Sequence, residues 1–75
     1  MDEVVNMLRK GIVVLCFVKS DGSVRTMRAT LNAALFTYEH KGRERNNANV
    51  TCVWDMDKQA WRSFRNESLL SWEQE

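Results

Sequence analysis

Gly11-Ile12-Val13-Val14-Leu15-Cys16-Phe17-Val18-Lys19-Ser20-Asp21-Gly22-Ser23-Val24-Arg25-Thr26-Met27-Arg28-Ala29-Thr30-Leu31 is the stretch that decides the fold. Its first eight residues form the most apolar segment of the chain. The run breaks at Lys19-Ser20-Asp21-Gly22 and resumes as a mixed polar and apolar arm. β-Branched and aromatic residues on both sides of an Asp-Gly pair are a strong short-range signal for a β-hairpin. The reason is local: Asp tolerates positive φ, and Gly adopts it without steric cost. In the second arm, alternation points Met27, Ala29 and Leu31 inward and Thr26, Arg28 and Thr30 outward. Val24 is out of phase, which a β-bulge would reconcile. The first arm, residues 12–19, is apolar on both faces and predicts cover on both, by a barrel interior and by a helix.

Upstream, residues 2–10 read as that helix. Val4, Met7 and Leu8 share a face with Val5 beside them, Asp2 is placed to cap it, and Gly11 to stop it. Asp2 and Glu3 suit the positive end of the helix dipole, and Arg9 and Lys10 the negative end. Nine residues are too few for a stable isolated helix, so the apolar stripe must pack.

Downstream, residues 32–40 carry both helical spacing and strand composition. The reading is a turn at 32–34 followed by a short strand. Lys41-Gly42-Arg43-Glu44-Arg45-Asn46-Asn47-Ala48-Asn49 is polar throughout and predicts a loop. Residues 50–56 form a strand with Val50, Cys52, Trp54 and Met56 on one face. Ala60–Arg65 forms the next, with Trp61, Ser63 and Arg65 on one face and Arg62 and Phe64 on the other. Leu69, Leu70 and Trp72 suit a short edge strand or a 3₁₀ turn, and residues 73–75 a frayed tail.

Seventy-five residues allow one domain with a thin core. Eleven basic against ten acidic side chains leave a net charge of +1, too little for a general pull toward nucleic acid or membrane. The chain has no proline and three glycines, which is not a disordered composition. The acidic start is unlike a signal peptide, and the apolar run at Ile12–Val18 is far short of a membrane span. A single soluble intracellular domain is expected. The sequons at Asn49 and Asn66 then read as accidents of composition. Cys16 and Cys52 fall in predicted core strands, where buried thiols or a disulfide between neighbouring strands are the alternatives. No ligand spacing recruits them or His40 to a metal, and no cofactor is expected.

One helix at residues 1–10 and about five short strands within residues 11–72 leave no room for crossover helices. The economical architecture is mainly β: a small, bent antiparallel barrel of the SH3-like or Sm-like class, closed or nearly so to hide its edges. Two stretches carry a family resemblance. Residues 19–31 resemble the pattern K-x-D-G-x-x-R-x-M-x-A-T-L. Val53-Trp54-Asp55 with Trp61-Arg62-Ser63-Phe64-Arg65 resembles V-W-D … W-R-S-F-R. Both are similar to a small, largely uncharacterised phage and bacterial family, WYL-like with an Sm-like SH3 β-barrel fold, over residues 11–72. The resemblance implies a phage-encoded accessory protein in the host bacterial cytoplasm. Larger WYL domains sit in transcriptional regulators and bind nucleic acid or nucleotide-like ligands. Sm-like barrels often assemble into rings, so a homo-oligomer is compatible with the fold.

The candidate contact surface is Trp61, Arg62, Phe64 and Arg65, because aromatic residues interleaved with arginine suit single-stranded nucleic acid or a protein hot spot. The competing reading fills the barrel with Trp61 or Phe64 and leaves the arginines solvated. Arg25 and Arg28 extend a basic stripe if their strand neighbours Ala60–Arg65. Trp72 is a second aromatic contact, and Lys41, Arg43 and Arg45 are phosphate-reaching candidates on a loop. Asp55 and Asp57 border a turn, where local hydrogen bonding explains them better than acid–base chemistry. With no nucleophile beside a positioned base and no glycine-rich phosphate loop, a non-enzymatic role is expected. The near-neutral charge favours a host protein as partner, acting on host machinery as a regulator or inhibitor. Nucleic acid is the alternative.

Overall fold

The computed structural model describes residues 1–36 and 48–75. Its elements are α1 (Asp2–Lys10), β1 (Ile12–Val18), β2 (Val24–Thr30), β3 (Val50–Asp55), β4 (Ala60–Arg65) and β5 (Leu69–Gln74). Single 3₁₀ turns lie at Ala33–Leu35 and Asn66–Ser68. The strands form one antiparallel sheet in the order β4-β3-β2-β1-β5. Among the described residues, no helix is long and apolar enough to cross a membrane.

The sheet is not closed by hydrogen bonds, so β4 and β5 remain its edges. It is nevertheless strongly curled. Neighbouring strands lie about 4.8 Å apart, which would separate β4 from β1 by about 14 Å in a flat sheet. Phe17 of β1 and Phe64 of β4 instead stack with ring centroids 5.5 Å apart. Packing of these two rings closes the barrel where the backbone does not. They belong to a core that includes Val13, Leu15, Met27, Ala29, Leu31 and Val53.

The helix packs into this same core through Val4, Val5 and Leu8. It therefore does not cover the opposite face of β1, as the apolar run suggested. On that face Ile12, Val14, Cys16 and Val18 are only half-buried. Met1 is the N-cap, without a side-chain bond, and Asp2 begins the first turn. Gly11 leaves the helix in extended backbone and runs directly into β1.

The Asp-Gly hairpin forms by a wider turn than a two-residue reversal. Gly22 N–H donates to the Lys19 carbonyl at 2.9 Å, and Lys19 N–H to the Ser23 carbonyl at 2.7 Å. Only Gly22 has positive φ here, at 88°. Asp21 acts through its carboxylate, which accepts the Ser23 N–H at 2.9 Å and hydroxyl at 2.6 Å. These bonds hold its pKa below the ordinary value. Pairing from Val18↔Val24 to Ile12↔Thr30 is unbroken, so Val24 is simply exposed and no bulge is present.

Thr30 corrects the alternation argument. Expected outward, it is fully buried beneath the end of α1. Its hydroxyl lies 2.8 Å from the Gly11 carbonyl and 3.1 Å from that of Leu8, and accepts the Asn32 N–H at 3.0 Å. A helix leaves its last carbonyls without intrahelical partners, and Thr30 supplies one. Leu35 belongs to the 3₁₀ turn and Phe36 follows it without opening a hydrogen-bonded strand, and the rest of the expected strand lies outside the described residues. The C-terminus is not frayed: β5 runs to Gln74, and Glu75 N–H donates to the Ile12 carbonyl at 2.9 Å. Cys16 and Cys52 are half-buried and are not joined by a disulfide. Their strands are not neighbours, because β2 lies between them, about 10 Å of sheet, beyond the reach of a disulfide.

Thr30→Val should lower stability by about 1–3 kcal/mol in urea denaturation, since buried polar groups lose their partner. Thr26→Val, on an exposed site of the same strand, should stay within about 0.5 kcal/mol. Gly22→Val should cost about 1–2 kcal/mol through backbone strain alone, because no atom lies within 4 Å of the added Cβ.

Candidate functional site

The two hairpins diverge from a narrow seam. Only Ala29↔Asp55 and Thr30↔Trp54 pair β2 with β3. Beyond the seam the tip of β1–β2 and the edge strand β4 enclose a cleft of about 270 Å³. Phe17, Met27 and Phe64 line its apolar part, and Lys19, Arg25, Arg62 and Arg65 its charged part, with the hydroxyls of Ser20 and Ser63. Among the described residues lining it there is no carboxylate.

Asp55 fixes one of these cations. It is 1% exposed, and its Oδ2 accepts from Arg25 Nη2 at 2.8 Å. Its Oδ1 accepts the N–H groups of Asp57 at 2.9 Å and Lys58 at 3.0 Å, which folds the β3–β4 turn. Gln59 completes that turn with φ of 53°. One carboxylate thus ties the turn between β3 and β4 to β2 and holds Arg25 over the cleft. Among the described residues, Lys19, Arg62 and Arg65 make no ion pair.

The sequence-predicted site residues do not form one face. Arg25 shares the inner face with Met27 and Ala29 and joins Arg62 and Arg65 at the cleft. Strand β2 does not neighbour β4, since β3 separates them; Arg25 reaches the cleft by curvature. Arg28 points the other way. It pairs with Glu75 at 2.6 Å and Asp57 at 3.1 Å, clasping the C-terminus to the β3–β4 turn. Phe64 is a core ring, 4% exposed. Trp61 lies on the opposite face of β4, in a cluster with Trp54 and Phe36. Phe36 stacks on Trp54 at 4.8 Å, and the two indoles meet edge-on at 5.6 Å. Trp72 sits across from Leu15 on β5, at the other edge of the sheet. Lys41, Arg43 and Arg45 lie outside the described residues.

Lys19 and Ser20 join the cleft without having been singled out in the sequence. Arg25's inward phase was available there, because it stands two residues before Met27. The pairing of Asp55 with Arg25, thirty residues away, had no local signal.

This architecture defines a small open β-barrel with a cationic cleft at its mouth, the class of the Sm-like SH3 folds. The model of the family described as WYL_2, Sm-like SH3 beta-barrel fold, matches residues 1–70, and the chain belongs to that family. The match takes in the N-terminal helix and stops short of Trp72. The chain is also similar to the "Uncharacterized 11.5 kDa protein in Gp31-cd intergenic region" of Enterobacteria phage T4. The two are 30% identical over 69 residues, covering 85% of this chain and 68% of that protein. No solved structure matches the chain.

Asp55→Ala should destabilise the fold by about 2–3 kcal/mol, somewhat less than a fully buried pair because Arg25 remains 28% exposed. Hydrogen bonds from Arg28 hold the Glu75 carboxyl below the ordinary carboxylate range. Its contribution is therefore complete above the unfolded pKa and is lost as pH falls through the lowered folded value. An NMR titration should show the Glu75 midpoint rise in Arg28→Ala.

Proposed function

We propose that this chain is a non-enzymatic, phage-encoded accessory protein that acts in the host bacterial cytoplasm by binding a host protein, and that the cleft is its contact surface. The observation that carries the reading is the distribution of charge. Among the described residues, four cations and no carboxylate line one cleft of a chain whose net charge is only +1. Opposite charge on a partner would be steered to this mouth. The apolar floor adds desolvated contact beside the charges, the combination on which protein interfaces depend. Similarity to a phage T4 protein supports the phage origin.

The geometry favours a protein over single-stranded nucleic acid. Stacking needs open aromatic faces. Phe17 and Phe64 are 7% and 4% exposed and stack on each other, while Trp61 is on the far side of β4. The cleft offers charge without a platform for bases. Carboxylates on a protein segment need only the charge.

Affinity capture from host lysate should retain a stoichiometric protein after nuclease digestion and lose it in Arg62→Glu. Arg62 is solvent-exposed, so the variant should keep the parental unfolding midpoint. Capture that disappears with nuclease, or that is indifferent to Arg62→Glu, would overturn the reading.

A further inference from the structure

We infer that the cleft takes its partner as an added β-strand: an extended acidic segment pairs with the free edge of β4. The inference rests on the cleft reading above and specifies how the cleft is occupied.

Among the described residues, strand β4 ends the sheet, with β3 on one side only. The Asn66 N–H donates to the Asn49 carbonyl at 2.9 Å, continuing the register that pairs Val50 with Arg65. In an antiparallel ladder bonded and non-bonded pairs alternate. The bonds to β3 therefore come from Phe64, Arg62 and Ala60, and the backbone groups of Ser63 and Arg65 turn outward. The Arg65 carbonyl accepts the Ser68 hydroxyl at 2.7 Å. That leaves the Ser63 N–H and carbonyl and the Arg65 N–H as a short template. Among the described residues, nothing pairs with the two Ser63 groups.

Edges of this kind invite other strands and need protection. Here the protection is selective. Arg62 and Arg65 repel a cationic strand and a second β4, while attracting an acidic one. Proline is absent from the edge, and β4 pairs with β3 through all six residues without a register shift. A strand laid along β4 presents alternate residues to the inner face, beside Arg62 and Phe64. An acidic residue there meets Arg62 and Arg25, and an apolar neighbour two positions on meets Phe64 and Met27. The six residues of β4 limit the segment to roughly four to six residues, the scale of strand-addition ligands. The β5 edge lacks this chemistry: the strand carries Glu73 and no cation.

The test uses the whole chain and an acetylated, amidated Glu-Thr-Val-Thr-Glu-Thr peptide, which places Glu and Val two positions apart on one face, read by NMR amide exchange and by titration. Binding should slow exchange at the Ser63 and Arg65 amides by about tenfold or more. Arg62→Glu, and separately a peptide N-methylated at alternate residues, should each weaken binding by about tenfold. Equal binding of the methylated peptide, or unchanged exchange at Ser63, would overturn strand addition while leaving host capture dependent on Arg62. Failure of every acidic peptide together with capture indifferent to Arg62 would overturn both readings. Slowing at Ser63 that grows with protein concentration, with no peptide present, would assign the edge to a second copy and overturn the inference.

Discussion

The buried carboxylate of Asp55 is the point on which the two halves of the barrel turn. The hairpins β1–β2 and β3–β4 share only two residue pairs, an inter-hairpin seam too short to hold them by backbone bonding alone. The Met56 N–H adds one bond to the Arg28 carbonyl at 2.8 Å. Asp55 stands at this seam and spends both oxygens there, one on Arg25 and one on the backbone of the next turn. A carboxylate this deep is tolerable only because every lone pair it turns inward meets a donor. Stacking of Phe17 on Phe64 completes the closure from the other side of the cleft. Curvature, cleft and cation placement follow from these two contacts.

The arginines show how a nearly neutral chain acquires a charged site. Arg25 and Arg28 are three residues apart on one strand and so point to opposite faces. Arg28 spends its donors on two exposed carboxylates, an arrangement that organises the C-terminus and contributes little to stability. Arg25 spends one on a buried carboxylate and keeps part of its guanidinium at the cleft. With Arg62, Arg65 and Lys19 beside it, cations outnumber acids locally although they nearly balance across the chain.

Local patterns made much of the fold legible. The nine-residue helix, the Asp-Gly hairpin and the β3–β4 pair all join residues no more than 18 apart, and periodicity with turn signals reports those well. Alternation also placed Trp61 and Phe64 on opposite faces of β4. It failed at Thr30, because alternation describes one sheet and does not know that the carbonyls at the end of α1 will be brought onto that hydroxyl. It also gave no means to pair Asp55 with Arg25, or to separate Cys16 from Cys52 by an intervening strand. The aromatic and arginine residues of β4 looked like one surface because they are consecutive, yet a strand divides consecutive residues between two faces.

By itself, then, the sequence determined the helix and the two hairpins, their boundaries to within a residue or two, and the family, since these depend on near neighbours and on motif residues read in order; it left the last strand open between a strand and a 3₁₀ turn. The tertiary structure alone decided which charges meet. Curling the sheet through Phe17 and Phe64 brings Arg25 to Arg62 and Arg65 across one intervening strand and Lys19 across two, and only burial at the seam makes Asp55 the anchor of that arrangement. The physical reason is that strand order and curvature are properties of long-range packing, which the periodicity of one strand does not encode.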